Sequence, residues 1–152
     1  MADRKRIWSV LFALYCIAMA YLLFGRAEAP DGIPYAEQLR LRLNLVPFRT
    51  LRLQLRLLCD GSHPRLIRHA AVNLLGNILL FIPLGIFLPK LTNRLRSLWT
   101  VLPATAGIIV LVETVQVLTL LGRCDIDDLL LNLLGSAIGY GIFHRTEKRL
   151  PG

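Results

Sequence analysis

Charged and amide side chains interrupt a mostly apolar stretch of this sequence, residues 113–140. Glu113 and Gln116 are three residues apart, so they lie on one face of a helix. Asp125 and Asp128 repeat that spacing at the start of the next apolar segment. An ionisable group at the centre of a membrane-spanning helix costs about 2.5–3.5 kcal/mol and usually faces a bundle interior or a watery cavity. The pattern therefore predicts a polar site inside an apolar protein.

Two carboxylates in such a site could perform acid–base chemistry. Glu113 and Asp128 could serve as general acid and base, or a cluster of acids could bind a divalent cation. The sequence contains no nucleophile beside a base, no HExxH motif and no phosphatase-like basic motif. Catalytic residues therefore stay unassigned, with Glu113 and Asp128 as candidates, and no metal site or cofactor is predicted. Asp125 also suits a purely structural role, because a carboxylate caps the N-terminus of a helix.

The elements that must position this site are long apolar blocks. The chain has 152 residues, is 55% hydrophobic and carries a formal net charge of +8. Apolar blocks of roughly 18 residues are long enough to cross a bilayer as helices. We predict one all-α integral membrane domain over residues 1–152, a bundle of four transmembrane helices. The predicted spans cover residues 7–24, 70–89, 98–121 and 126–143.

An amphipathic segment is predicted between the first and second spans, at residues 39–58. Residues 39–45 alternate apolar and polar side chains, which is compatible with a strand. Further on, Arg49, Arg52 and Arg56 recur at helical spacing with leucines on the other side. This pattern predicts a helix that lies in the membrane interface. The alternative is a solvated basic face that covers the bundle.

Four antiparallel spans bring the polar groups to one side of the membrane. The long connection, the start of the second span, the end of the third and the start of the fourth all meet there. We predict that these groups form an intramembrane ligand-binding pocket. Its predicted residues are Asn73, Asn77, Glu113, Gln116, Arg123, Asp125, Asp128 and Asn132.

Each buried polar group in this pocket needs a partner. Glu113 could be protonated, could pair with Arg123, or could bind Asn73 or Asn77 across the bundle. Asn132 lies one turn deeper than the acidic turn and needs a buried partner as well. The alternative to a ligand pocket is a buried structural network, in which the two asparagines of the second span only join helices.

The three cysteines, Cys16, Cys59 and Cys124, include no CxxC pair. A metal or redox cluster is therefore not predicted. Free thiols are favoured, and a disulfide between Cys59 and Cys124 is left open.

The basic residues favour membrane lipids over nucleic acid as partners. The sequence has no aromatic–basic nucleic-acid module, and its arginines lie beside apolar blocks. Nine of the 18 Lys and Arg residues lie at each membrane face, so their number gives no orientation. Because the first helix often dominates and its charges precede it, we predict a cytoplasmic N-terminus and a pocket that faces outward. Assembly into a homo-oligomer is left open.

Four sequence blocks carry a resemblance to a known family. They are NLVPFRT at residues 44–50, NLLGNILLFIPLG at 73–85, ETVQ at 113–116 and GRCDIDDLLLNLLGSAIGY at 122–140. In this combination and order they resemble the VanZ-like membrane proteins. The resemblance implies a small multi-pass protein of the bacterial cytoplasmic membrane and cell envelope. The namesake of the family is associated with resistance to teicoplanin, and no agreed reaction comes with the family.

Three functions fit these observations. The pocket could recognise the headgroup of a lipid or of a lipid-linked envelope precursor, with the basic segment 39–58 at the anionic surface. It could be an intramembrane enzyme that uses carboxylates on a lipid-linked substrate. It could also belong to a small transporter subunit with Glu113 as proton carrier, which would have to oligomerise.

Overall fold

The computed structural model of the chain describes residues 2–25 and 32–149. Most of this part is helical. The α-helices are α1 (Ala2–Phe24), α2 (Tyr35–Arg42), α3 (Arg49–Asp60), α4 (Pro64–Leu91), α5 (Leu98–Leu118) and α6 (Ile126–Arg149). A 3-10 helix, Asn93–Leu95, joins α4 to α5, and two short strands, β1 (Leu43–Asn44) and β2 (Cys124–Asp125), pair in parallel.

Four helices, α1, α4, α5 and α6, are long and apolar enough to cross a membrane. The predicted all-α membrane bundle is confirmed, although the helix bounds differ from the predicted spans. α4 begins at Pro64 and not at residue 70, since proline suits the first turn of a helix. α5 ends at Leu118, before the predicted residue 121, because Leu120 adopts a left-handed φ of 58° and reverses the chain. α1 and α6 extend past the predicted spans at their basic ends.

The strand with which residues 39–45 were compatible is present over only two residues. Residues 39–42 complete α2, and only Leu43 and Asn44 are extended. They pair with Cys124 and Asp125, the two-residue strand that precedes α6. Because that partner is short, the backbone groups before Leu43 form their hydrogen bonds within a helix.

The predicted amphipathic helix is present as α3, which packs against α4 and α6. It begins after Phe48, whose φ is 63°, and ends at Gly61, whose φ is 70°. The three arginines of α3 are exposed, and Leu51 and Leu58 are half-buried against the bundle. Leu55 is 48% exposed. That α3 lies in the membrane interface stays a prediction.

The closest helix contact in the bundle joins α4 to α6. A Cβ atom added at Gly135 would overlap the carbonyl oxygen of Ile78, and one added at Gly139 would overlap that of Ile82. Small residues let helix backbones approach in this way. The two glycines therefore allow this close separation of α4 and α6, and their position on α6 sets the rotation of that helix about its axis.

Aromatic rings attach α1 to α4 near the N-terminal half of α1. Trp8, Phe12 and Tyr15 each lie within 6 Å, between ring centroids, of Phe87. The hydroxyl of Tyr15 also donates a hydrogen bond of 2.8 Å to the carbonyl oxygen of Leu80. These contacts fix the half of α1 that is remote from the acidic turn.

The α4–α6 contact predicts a large difference between two neighbouring glycine positions. Gly139→Ala should lower the free energy of unfolding by about 1–3 kcal/mol, because its methyl group meets a backbone carbonyl that cannot move aside. Gly141→Ala is the matched control in the same helix, since a Cβ there meets no atom within 4 Å. Unfolding in detergent measures both. Equal stabilities for the two variants would contradict the contact.

Candidate functional site

The pairing of β1 with β2 brings the long connection to the start of α6. Asp125 Oδ2 accepts hydrogen bonds from Thr50 Oγ1, at 2.5 Å, and from Asn44 Nδ2, at 3.1 Å. Its Oδ1 accepts the backbone N–H of Asp127 at 2.9 Å. Asp125 therefore caps α6 and ties it to α3, which is the structural role that the sequence left open.

Asp127 performs the same task for α3. Its Oδ1 accepts the N–H of Phe48 at 2.5 Å, and its Oδ2 accepts the N–H of Leu51 at 3.0 Å. The first N–H groups of a helix have no partner within the helix, so an outside carboxylate stabilises them. Asp127 is only 1% exposed. Asp127 was not among the predicted pocket residues. The sequence did contain a signal of its capping role, because one acid is enough to cap α6 and the turn has more than one.

Asp128 points toward α4. Its Oδ1 accepts hydrogen bonds from Asn77 Nδ2, at 2.6 Å, and from Asn73 Nδ2, at 3.3 Å. The expectation that these asparagines bind Glu113 is therefore wrong. The cause is the close approach of α4 and α6, which places the first turn of α6 directly against the two amides.

Glu113 has a different partner from either expected one. Its Oε2 accepts a hydrogen bond of 3.2 Å from Cys124 Sγ. Arg123 is exposed and forms no ion pair or hydrogen bond with the described residues, so the predicted Glu113–Arg123 pair is wrong. Neighbouring side chains alternate in direction along an extended chain. Because the side chain of Cys124 points toward α5, the side chain of Arg123 points the other way, toward the surface of the protein.

Seven of the eight predicted pocket residues line one cavity of about 250 Å³. Asp125 is the exception, because it is occupied by the contacts of the turn. The cavity wall is completed by apolar side chains of α1, α4 and α5. The polar residues that line it are Asn73, Asn77, Glu113, Gln116, Arg123, Asp128 and Asn132.

Two of these side chains differ in how their polar atoms are satisfied. Gln116 Nε2 donates a hydrogen bond of 2.8 Å to the carbonyl oxygen of Leu23, which ties the end of α1 to α5. Asn132 is 6% exposed, and its buried Oδ1 accepts no hydrogen bond from any described residue. The partner expected for Asn132 is therefore absent from this part of the chain. A buried amide oxygen without a partner is costly, so it is an acceptor suited to a ligand.

A larger open groove of about 790 Å³ adjoins the cavity, between α1 and α4. Leu23, Asn73 and Asn77 line both. Arg65, Arg68 and His69 line the far end of the groove and were not predicted. Their spacing could have predicted this position. They lie on the same helical stripe as Asn73 and Asn77 and continue it toward the N-terminus of α4.

All three cysteines are free. Cys59 is exposed on α3, whereas Cys124 is half-buried beside Glu113. Burial, the hydrogen bond to Glu113 and the nearby carboxylates together raise the pKa of the Cys124 thiol to about 11, with burial the largest cause.

Loss of the Asp127 carboxylate should weaken the fold. In Asp127→Asn an amide N–H faces one of the two backbone N–H donors, so one charged hydrogen bond is lost and a repulsive contact is formed. We expect the free energy of unfolding to fall by about 1.5–3 kcal/mol. Asp60→Asn, which removes an exposed carboxylate at the end of α3, is the control. Equal unfolding curves for the two variants would refute the capping role.

The raised pKa of Cys124 predicts slow alkylation. Near pH 8 about one Cys124 thiol in a thousand is ionised, and only the thiolate reacts. A variant that retains only Cys124 should therefore react slowly with iodoacetamide, about tenfold faster for each added pH unit up to pH 11. A variant that retains only the exposed Cys59 is the comparison, with intact mass as the readout. Rapid labelling of Cys124 at neutral pH would disprove its burial against Glu113.

Comparison with known proteins adds the family. A family model described as VanZ/LLP1 matches residues 12–147, nearly the whole chain. No curated protein and no solved structure matches the chain. The matched region includes the second half of α1, all of α4 and α5, nearly all of α6 and every residue of the cavity. The chain is therefore a multi-pass, helical membrane protein of the VanZ/LLP1 family.

Proposed function

We propose that the cavity binds the polar headgroup of a membrane lipid or of a lipid-linked cell-envelope precursor. The observation that carries this proposal is the continuity of a polar cavity with an open groove that has an apolar wall, through Leu23, Asn73 and Asn77. A lipid presents the same two chemistries in the same order, a polar head joined to hydrocarbon. A water-soluble ligand would need no apolar groove beside its site.

The cavity wall suits a head that carries hydrogen-bond donors. Glu113 and Asp128 present carboxylates, and Asn132 presents an amide oxygen without a partner among the described residues. Such acceptors bind the hydroxyl groups of a sugar or polyol, or an ammonium group. At about 250 Å³ the cavity is smaller than the pockets that enclose drug-sized ligands, so one small polar group fills it.

The expected setting is the bacterial cytoplasmic membrane. The basic residues in the first turns of α1 favour a cytoplasmic N-terminus, and the cavity lies at the opposite end of the bundle from the loop between α4 and α5. The headgroup site would then face the outside of the cell, where envelope precursors are used. The resemblance to VanZ-like proteins, whose namesake is associated with teicoplanin resistance, supports this side of the membrane.

A second candidate function is an intramembrane enzyme on a lipid-linked substrate. It is favoured by one observation, that Glu113 and Asp128 line the same cavity. One carboxyl could give a proton to a leaving group while the other accepts one from water. Incubation of the protein with its copurified lipid distinguishes the two functions. A changed lipid mass with wild type but not with Glu113→Gln would identify the enzyme.

The headgroup proposal predicts which lipids copurify with the protein. Asp128→Asn removes the charge but keeps an oxygen that can accept from Asn77, so the fold should survive while headgroup binding weakens about tenfold or more. Asn132→Leu should do the same by removing the free acceptor and filling the cavity. Native mass spectrometry of the detergent-extracted protein measures the bound lipids.

Asp60→Asn is the matched control, since it makes the same chemical change on an exposed carboxylate outside the cavity. Its lipid spectrum should equal that of wild type. If Asp128→Asn and Asn132→Leu also gave wild-type spectra, the cavity would not be the headgroup site.

A further inference from the structure

We propose that the groove between α1 and α4 holds a phosphate-bearing lipid, with the phosphate at Arg65, Arg68 and His69 and a hydrocarbon chain along the apolar wall beyond them. This inference rests on the proposed headgroup function and narrows it, because it names the anionic class of the lipid. It assigns a role to three basic residues that lie outside the polar cavity.

The basic end of the groove has no ion-pair partner among residues 2–25 and 32–149. Arg65, Arg68 and His69 lie on one face of α4, and all three are exposed. They form no ion pair or hydrogen bond with the residues that the structure describes. They also occupy the first turns of α4, where a helix favours negative charge and where no acidic residue is present. A phosphate supplies the missing charge and accepts bidentate hydrogen bonds from arginine.

The groove beyond this basic end has the length and character of a lipid chain. Val72, Leu79 and Leu80 of α4 face Leu22 of α1 across it. From Arg68 to Leu80 the helix rises about 18 Å, which is close to half the thickness of a bilayer with its headgroups. Val72 and Leu79 are exposed in the protein alone. A hydrocarbon chain would cover them.

The position of the phosphate also connects the groove with the cavity. His69 lies one helical turn from Asn73 and two turns from Asn77, the residues shared by groove and cavity. A small head attached to the phosphate reaches the cavity from there, while the chain continues along α4. Free phosphate uses only the basic end and leaves the apolar wall without a function, so the lipid explains the whole groove.

Phosphatidic acid is the probe that tests the groove by itself, because its phosphate carries no further headgroup for the cavity. The full chain in detergent is titrated with this lipid, and binding is read by native mass spectrometry. The double variant Arg65→Gln, Arg68→Gln should bind it about tenfold more weakly or worse. The control is Arg94→Gln, Arg96→Gln, which removes two exposed arginines in the loop between α4 and α5, at the other end of the bundle, and should bind as wild type does.

A second pair of variants tests the hydrocarbon part. Gly76 lines the groove, and a Cβ there meets no atom within 4 Å, so Gly76→Leu fills the groove without disturbing the helix packing. It should weaken phosphatidic acid binding strongly. Gly107→Leu is the control, because Gly107 lies in α5 outside the groove and its added Cβ also meets open space. Wild-type binding is expected for that variant.

Three outcomes would overturn the inference. They are wild-type binding by the Arg65, Arg68 double variant, equal binding of diacylglycerol, and displacement of the lipid by inorganic phosphate at comparable concentration, which would indicate a free-anion site. Asp128→Asn separates the two proposals, because it should retain phosphatidic acid while losing the copurified headgroup lipid. If it does so and the arginine variant binds normally, the headgroup cavity stands and the phosphate site falls.

Discussion

Many of the hydrogen bonds that hold the long connection to the bundle converge on the acidic turn before α6. Asp125 and Asp127 together accept five hydrogen bonds of the turn, β1 and the start of α3. Such donors have no water to turn to within a bilayer, so each must be satisfied inside the protein. The turn therefore holds the long connection against the bundle, and the cavity exists only because this closure leaves Asp128 and Glu113 on its inner side.

The three aspartates of the turn have the same side chain, and their different roles follow from their positions. Asp125 and Asp127 are consumed by structure, whereas Asp128 meets only amide groups on α4 and borders open space. Glu113 accepts a hydrogen bond from the Cys124 thiol, a weak donor, and lines the cavity. A site for a polar headgroup thus lies directly beside the contacts that stabilise the fold, so substitutions in this turn must be compared with matched controls for stability.

The sequence predicted the four spans and the grouping of polar residues well, because apolar length and antiparallel connectivity determine both. Seven of the eight predicted residues share one cavity, although their binding of a ligand stays a prediction. Individual partners could not be predicted. Whether Asn77 meets Glu113 or Asp128 depends on the rotation of α6 about its axis, which the glycine contact sets. The extent of the strand within residues 39–45 could not be predicted for a similar reason. It depends on the length of its partner, Cys124–Asp125, which is remote in sequence.

The contact of α4 with α6 has a mechanical consequence. Because the two backbones are in contact at Gly135 and Gly139, these helices are expected to keep their separation when a ligand binds. α1 has no such constraint at its C-terminal half, where the hydrogen bond from Gln116 to Leu23 is its polar link to α5, while its aromatic half is clamped to α4. A change in the width of the groove would therefore involve α1 more than the pair of α4 and α6.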